Sequence, residues 1–354
     1  MPAVSIAGRR IGAGQPPYVM AEVGVNHNGD PELALRLVEA AAAGGADAVK
    51  FQTFEPDALA LAGAETADYQ RTQTGSASQL EMLRRLALPA DALRAAARRA
   101  NELGITFLST PFDIASVELL SELGVPAYKI GSGDLTNPLL LRAVAAKGRP
   151  VLLSTGMATL DEIDAAVAVV RAAGNPPLVV LQCTSAYPAP IEDLNLRAIP
   201  VLAERYATPA GLSDHSVGIT AAVAATALGA AVIEKHITLD RSLPGPDHAA
   251  SLEPAELRQL VDAVRDAYAA LGDGQKAPMA SEEETRRVAR RSLVVRHTLR
   301  AGTRLAPDDL DARRPGTGIS AMRLDDVVGR VLRRDVAADT LLDPADLDPP
   351  LAEA

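Results

Sequence analysis

The chain holds one cysteine, Cys183, among 354 residues. A single thiol forms no intrachain disulfide, and a reducing cytoplasm fits such a chain. Long apolar runs are missing too. None reaches the ~18–20 residues of a spanning helix without a charge, Pro or Gly, so no membrane span is expected. The opening stretch MPAVSIAGRRIGAGQPPYVM has no long apolar segment, and no secretory leader is expected in it. Positive charge is scarce: 35 Lys and Arg against 45 Asp and Glu give a net charge of −10. That balance argues against non-specific nucleic-acid binding, which runs on positive charge. It leaves room for a local basic pocket that takes a small anion. No GxGxxG follows the first strand candidate, which weakens a doubly wound dinucleotide fold. Histidine is rare as well, with five in the chain.

What is present is an ordinary globular balance, 48% hydrophobic and 23% charged, sufficient for a sizeable core. The length suits one large unit plus a small one. Eight strand-like runs recur: YVMAEVG (18–24), DAVKFQT (47–53), ITFLST (105–110), AYKIGSG (127–133), PVLLSTG (150–156), LVVLQCTS (178–185), AGLSD (210–214) and AVIEKHIT (231–238). Ala-, Leu- and Arg-rich helical stretches separate them, as in 31–45, 89–104 and 161–174. Strand–helix alternation implies an α/β protein with a parallel sheet. Eight such units predict a (β/α)8 TIM barrel over 1–272. The stretch 54–80 is long for a βα connection. It reads as an excursion over the barrel mouth, with a disordered insertion as the alternative. Residues 273–290, rich in Gly, Pro and charge, read as a linker. Residues 291–354 carry short β-type runs cut by Gly, Pro and Asp, a small second domain. A unit of that size is expected to lean on the barrel or on another subunit.

Barrel enzymes carry their chemistry at the C-terminal ends of the strands. Those ends supply Glu22, Lys50, Gln52, Ser109, Thr110, Lys129, Ser132, Ser154, Thr155, Thr184, Ser185, Ser213, His215, Glu234 and His236. Several lie inside apolar runs, where a charge is costly unless paired or used. The two lysines admit two readings. One could form a Schiff base with a carbonyl substrate. Both, with the hydroxyls and the turns GSGD and STGM, could cradle a phosphate or carboxylate. The triplet Ser132, Ser154 and Ser213 favours the anion.

His215 and His236 end neighbouring strands, which lie ~4.8 Å apart, so their imidazoles can meet on one ion. Two histidines are too few for a structural zinc site, and an open Mn²⁺ or Mg²⁺ site fits better. The alternative is a helix-capping neighbourhood for His215 and a satisfied core histidine at 236. Glu22, Asp214, Glu234 and Asp247 are candidates to orient or complete the shell, Asp214 directly beside His215. His27 and His248 read as loop residues and His297 as a surface residue of the small domain.

The ordered set EVGVNHNGD, KFQTF, STPFD, YKIGSGD, LLSTGM, QCTSAYP, GLSDHS, EKHITLD and PGPDHAASLEP resembles the sialic acid synthase family. The segment around RRPGTGIS resembles that family's SAF, or antifreeze-like, β-clip domain. The resemblance covers nearly the whole chain. It implies condensation of phosphoenolpyruvate with an N-acetylated hexosamine to a nine-carbon acid. His215 and His236 then match the ligands of a divalent metal, Mn²⁺ first and Mg²⁺ or Co²⁺ as alternatives. Lys50, Lys129, Ser132, Ser154, Ser185 and Ser213 match positions that hold phosphoenolpyruvate. Gln52, Tyr187 and Asp247 match sugar contacts, and Glu22 the acid near the reacting carbons. Arg314 matches an arginine that the small domain sends across a homodimer to the partner's sugar. Carbon 3 of phosphoenolpyruvate would attack the metal-polarised aldehyde, water would capture carbon 2, and phosphate would leave by C–O cleavage.

Two residues depart from the pattern: Asp134, a possible sugar contact, stands where Glu is frequent, and Gln182 where His is frequent. Both bear on substrate choice. KFQTF and YQRTQTGSASQLEMLRRL (69–86) look more like the legionaminic acid synthase branch, whose acceptor is a 2,4-diacetamido-6-deoxy sugar. Tyr69 is a candidate to line that sugar's site. N-acetylmannosamine is the second acceptor expected. A Schiff-base aldolase, a non-catalytic sugar-binding barrel and a synthase acting on a sugar phosphate are the rival classes.

Overall fold

The computed structural model describes residues 3–352. The chain divides into two compact units, Met1–Gly272 and Asp273–Ala354. The first opens with an antiparallel hairpin of β1 (Val4–Ile6) and β2 (Arg9–Ile11). Then come β3 (Tyr18–Gly24), β4 (Ala48–Thr53), β5 (Thr106–Pro111) and β6 (Tyr128–Ile130). They are followed by β7 (Val151–Ser154), β8 (Leu178–Cys183), β9 (Ala210–Asp214) and β10 (Val232–His236). Each of the eight runs read as a strand overlaps one, with β5 running one residue past its run, to Pro111. Their order is β5-β4-β3-β10-β9-β8-β7-β6, and β5 meets β6 to close the circle. This is the expected TIM-like barrel.

Alternation along each strand sorts side chains into two cores. Val19, Ala21 and Val23 face the surrounding helices, while Tyr18 and Met20 turn inward. The hairpin residues Val4, Ile6 and Ile11 share that inner cluster with Leu108, Leu152 and Leu181. They plug the end of the barrel opposite the strand C-termini. The mouth is thereby left as the one open end of the tube. Local signals start the helices where the sequence places them. Asp30 caps Pro31–Ala43 with its side chain and Pro sits in the first turn, which satisfies an amide the helix cannot. Thr159 and Glu162 form a reciprocal capping box on Leu160–Ala172.

The 54–80 stretch is an ordered excursion. It holds the helices Pro56–Leu59 and Asp68–Thr74 and leads into Gln79–Leu86. Phe54, Met82 and Leu86 bury against Val25 and fasten it to the barrel.

In the second unit β11 (Ser292–Val295) pairs with β12 (Leu310–Arg313), and β13 (Val331–Leu332) with β14 (Leu347–Asp348). Leu293, Val295, Leu310, Leu332, Leu342 and Leu347 belong to a buried cluster drawn from this unit alone. The stretch read as a linker contains a helix, Glu283–Ala289. Its end is tied to the small unit, because the Gly316 amide donates to the Arg287 carbonyl at 2.8 Å.

Candidate active site

At the barrel mouth the inward positions of successive strands become polar. Glu22, Lys50, Thr110, Lys129, Ser154, Ser213, Glu234 and His236 line one cavity of about 620 Å³. The charges form an alternating network. Lys50 Nζ lies 2.8 Å from Glu22 and 3.9 Å from Glu234, and it donates to Thr110 Oγ1 at 2.8 Å. Lys129 Nζ lies 3.6 Å from Glu234. All four charged side chains are at most 5% exposed. Charges so buried persist only with partners, because desolvation otherwise neutralises them.

The network divides its protons unevenly. Burial pushes Glu22 up to about 7, against the pull of Lys50. Burial acts the same way on Glu234, but Lys129 and Lys50 outweigh it and hold that carboxyl below its ordinary range. Lys50 is raised, because Glu22 and Glu234 outweigh its burial. Lys129 is lowered by burial despite Glu234. When Glu22 carries its proton, two lysines face one carboxylate, and the pocket favours an anion.

Four hydroxyls complete the inner end. Ser154 Oγ is buried without a protein partner. Ser132 Oγ accepts from the Gly156 amide at 3.0 Å, and Ser213 Oγ donates to Glu234 at 3.1 Å. Ser185 lines the same cavity. A Cβ at position 156 would collide with Ser185 Oγ and lie 2.8 Å from Ser132 Oγ. Only glycine lets backbone and hydroxyls converge there.

The two imidazoles meet as expected. The rings of His215 and His236 have centroids 5.4 Å apart. His215 Nδ1 donates to the Thr184 carbonyl at 2.8 Å, so in the neutral ring Nε2 keeps its lone pair for a ligand. Burial lowers His215, but Cys183 and the Thr184 carbonyl outweigh it and raise the ring above its ordinary value. His236 Nδ1 is buried and unpartnered. Burial lowers His236 well below its ordinary value, so its ring is neutral, the form that binds metal. Among the described residues no set of three or more His, Cys, Asp and Glu converges for a metal. Two imidazoles are fewer than the four protein ligands of a closed structural site.

Tyr187 tilts over His215 with centroids 4.1 Å apart, and Tyr69 stacks on Tyr187 at 5.3 Å. The excursion thus brings Tyr69, Glu65, Thr66 and Gln70 to the outer cavity. Gln52 donates to Glu22 Oε1 at 3.2 Å. Asp247 is buried, and burial raises it to about 6 against the charge of His215.

Three sequence expectations land elsewhere. Asp214 faces away from the mouth: its carboxylate accepts from the Ser216 amide and hydroxyl and pairs with Lys235 at 2.8 Å. Ser213 and His215 take the inward places, so the residue between them must point out. Asp134 is absent from the cavity lining, and its carboxylate instead accepts from Asn137 Nδ2 at 3.0 Å. Asp247 is likewise absent from that lining. Arg314 is exposed in the second unit, the small-domain position its sequence place implies.

The remaining histidines also resolve. His27 is buried and accepts from the Gly29 amide at 3.0 Å. His248 is buried against Thr238 and Asn28, more enclosed than a loop reading implies. His297 is exposed and pairs with Asp309 at 3.0 Å. Two groups escaped the sequence reading. Lys235 is fully buried, and the strict alternation Glu234-in, Lys235-out, His236-in would have found it. Cys183 lies 3.8 Å from His215 Nδ1. Burial raises its thiol, but His215, Ser132 and Lys129 together bring it down to about 7.

Fold and mouth together define a (β/α)8 barrel enzyme with paired lysines and an imidazole pair gathered in one cavity. The chain belongs to the NeuB family, which matches residues 37–276. A SAF domain matches residues 290–348. The chain is 45% identical over 330 residues to N,N'-diacetyllegionaminic acid synthase of Legionella pneumophila, covering 92% of this chain and 93% of that one. It is 42% identical over 327 residues to the synthase of the same name from Campylobacter jejuni, covering 92% and 98%. Among solved structures it is similar to an N-acetylneuraminic acid synthetase of Leptospira borgpetersenii. That match has a TM-score of 0.71 and 36% identity and covers 80% of this chain and 95% of that one.

Proposed function

We propose that this chain condenses phosphoenolpyruvate with 2,4-diacetamido-2,4,6-trideoxymannose, giving N,N'-diacetyllegionaminic acid and phosphate. The observation that carries the reaction class is the single cavity holding Lys50, Lys129, the unpartnered Ser154 hydroxyl and the imidazole pair. The acceptor rests on the likeness to the two legionaminic acid synthases. N-acetylmannosamine is the second choice.

Lys50 and Lys129, with Ser132, Ser154, Ser185 and Ser213, hold the phosphate and carboxylate of phosphoenolpyruvate. His215 and His236 would hold a divalent cation, Mn²⁺ in our reading with Mg²⁺ or Co²⁺ as alternatives. When bound, that cation supplies Lewis-acid polarisation of the sugar aldehyde. Carbon 3 of phosphoenolpyruvate forms the new bond to the aldehyde carbon. Glu22, poised near neutrality, gives its proton to the aldehyde oxygen as that bond forms. The resulting carboxylate takes a proton from the water whose oxygen bonds to carbon 2. The tetrahedral carbon then releases phosphate by C–O cleavage, its hydroxyl proton leaves with the phosphate, and the 2-keto acid remains. The lysines stabilise the anionic charge throughout in a site shielded from bulk water. Gln52, Tyr187 and Tyr69, which line the outer cavity, face the sugar, and Asp247, buried outside that lining, joins them on the family resemblance.

A sugar phosphate as acceptor would need further cations. Among the residues lining the cavity the Lys and Arg side chains are Lys50 and Lys129 alone, and both are committed to the inner anion. The reading carries three further parts that rest on the family resemblance. The enzyme acts as a homodimer, the SAF domain of one subunit closes the partner's mouth through Arg314, and the protein works in the cytoplasm. No helix among the described residues is long and apolar enough to cross a membrane.

The test is phosphate release from phosphoenolpyruvate with a panel of acceptors. The highest kcat/KM is expected with 2,4-diacetamido-2,4,6-trideoxymannose. A preference for N-acetylmannosamine would move the enzyme to the second reading. Release with neither sugar would overturn the reaction class.

A further inference from the structure

The backbone ladder between β9 and β10 pairs Ile233 with Leu212, Glu234 with Ser213 and Lys235 with Asp214, and there it stops. His215 lies one residue beyond the last rung. The main-chain bonds of this strand pair therefore do not fix His215 relative to His236. Another link does, on the opposite face of the same two strands. Lys235 Nζ pairs with Asp214 Oδ2 at 2.8 Å, and both side chains have no solvent exposure. The same ammonium also donates to the Ser216 carbonyl. Asp214 Oδ1 accepts from the Ser216 amide at 2.9 Å and from its hydroxyl at 2.7 Å. The lysine is thus attached to the residue before His215 and to the residue after it.

Stability alone does not account for such a pair. A buried ion pair is often replaceable by well-packed apolar residues with no loss of stability. Leu212 and Ile233, two residues back on the same face, belong to the apolar layer between sheet and helices, a layer leucine or methionine would fill, with Glu256 the other charge acting on Lys235. What an apolar pair lacks is direction. Three hydrogen bonds and one ion pair fix the turn that carries His215 against the strand that carries His236.

We propose that Asp214, Lys235 and Ser216 are positioning residues that set the separation of the two imidazoles, and hence the affinity of the cation site. This inference rests on the reading of His215 and His236 as a cation site. It gives Asp214 a role from behind the strands, in place of the contact beside the ligand that its sequence position suggests. Residues that orient metal ligands typically change affinity about 10–100-fold when removed.

The experiment measures Mn²⁺ binding to the metal-free full chain by electron paramagnetic resonance, alongside thermal unfolding and calorimetric binding of phosphoenolpyruvate. Asp214→Asn is expected to raise the Mn²⁺ Kd about tenfold or more and to leave phosphoenolpyruvate binding within about twofold. Asp214→Asn leaves the Lys235 ammonium buried without its partner and is expected to lose stability with it; the Asp214→Leu/Lys235→Met double variant removes both charges. The double variant is expected to unfold near the wild-type temperature and still bind Mn²⁺ weakly. That split separates positioning from stability. Wild-type Mn²⁺ affinity in the folded double variant would overturn the inference alone. A wild-type chain that binds no Mn²⁺, or that binds it equally well as His215→Ala, would overturn the cation site itself.

Discussion

Lys50 and Glu22 stand 2.8 Å apart, each 2% exposed, on neighbouring strands of the barrel. They are neighbours because Glu22 and Lys50 share one rung of the β3–β4 ladder. The pair is not a plain salt bridge, since burial raises Glu22 to about 7 even beside that ammonium. A carboxyl with that value exchanges its proton near neutral pH.

Replacing Glu22 with Gln should therefore reach the chemistry more than the binding. The amide keeps the volume and can accept from Lys50, but it carries no labile proton. We expect kcat to fall about 10²–10⁴-fold, the usual worth of a positioned acid or base, with KM for phosphoenolpyruvate changed far less. The wild type should lose activity as pH rises through about 7, because ionised Glu22 has no proton to give. That limb should vanish from the residual activity of Glu22→Gln. A variant that keeps the limb places the proton elsewhere.

The imidazole pair predicts a chelator response. Activity should disappear with EDTA and return with Mn²⁺. His236→Ala should stay folded, since His236 is one side chain on a strand bonded on both sides, yet should lose the Mn²⁺ response. Full activity in EDTA would leave the pair without a cation. A covalent adduct on Lys50 or Lys129 after borohydride treatment with substrate would instead favour Schiff-base chemistry.

Asp247 offers a stability test with a definite sign. Burial raises it from 3.8 to about 6 in the folded chain. Above pH 6 it is ionised in both states, and the folded state bears the full cost of a buried carboxylate. Between 6 and 3.8 the folded state takes up the proton first, and the cost fades; below 3.8 it is gone. Asp247→Asn should stabilise the metal-free chain at pH 8 by up to about 3 kcal/mol, at about 1.4 kcal/mol per unit. The gain should disappear by pH 4. Equal urea midpoints at pH 8 would show that the carboxylate is solvated or paired. The same variant should weaken the sugar step, so the stabler protein is the poorer enzyme.

Much of this was legible in the chain. Repeated strand–helix alternation set the barrel, and polar residues inside apolar runs marked the mouth, because a charge there must be paired or used. The imidazole pair followed from strand adjacency. Orientation was harder to read. Sequence proximity puts Asp214 beside His215, while the two-residue period of a strand turns it to the other face. Asp134 lies on a single 3-10 turn, Ser132–Asp134, where no simple period says which way a side chain points. The tertiary facts were out of reach. Nothing local announces that Glu234 stands within 4 Å of two lysines on different strands, or that Tyr69 arrives against Tyr187 across more than a hundred residues.

That last contact separates two inheritances within one enzyme. The strands supply the reactive groups, and any exchange among them disturbs several neighbours at once. Tyr69 comes from a segment that contributes no strand and whose loss would leave the repeat intact. Residues 54–80 can therefore change at Glu65, Thr66, Tyr69 and Gln70 on the outer cavity without moving a strand. An exchange of that segment between relatives therefore changes one wall of the cavity and leaves the other, with Gln52 and Tyr187, in place.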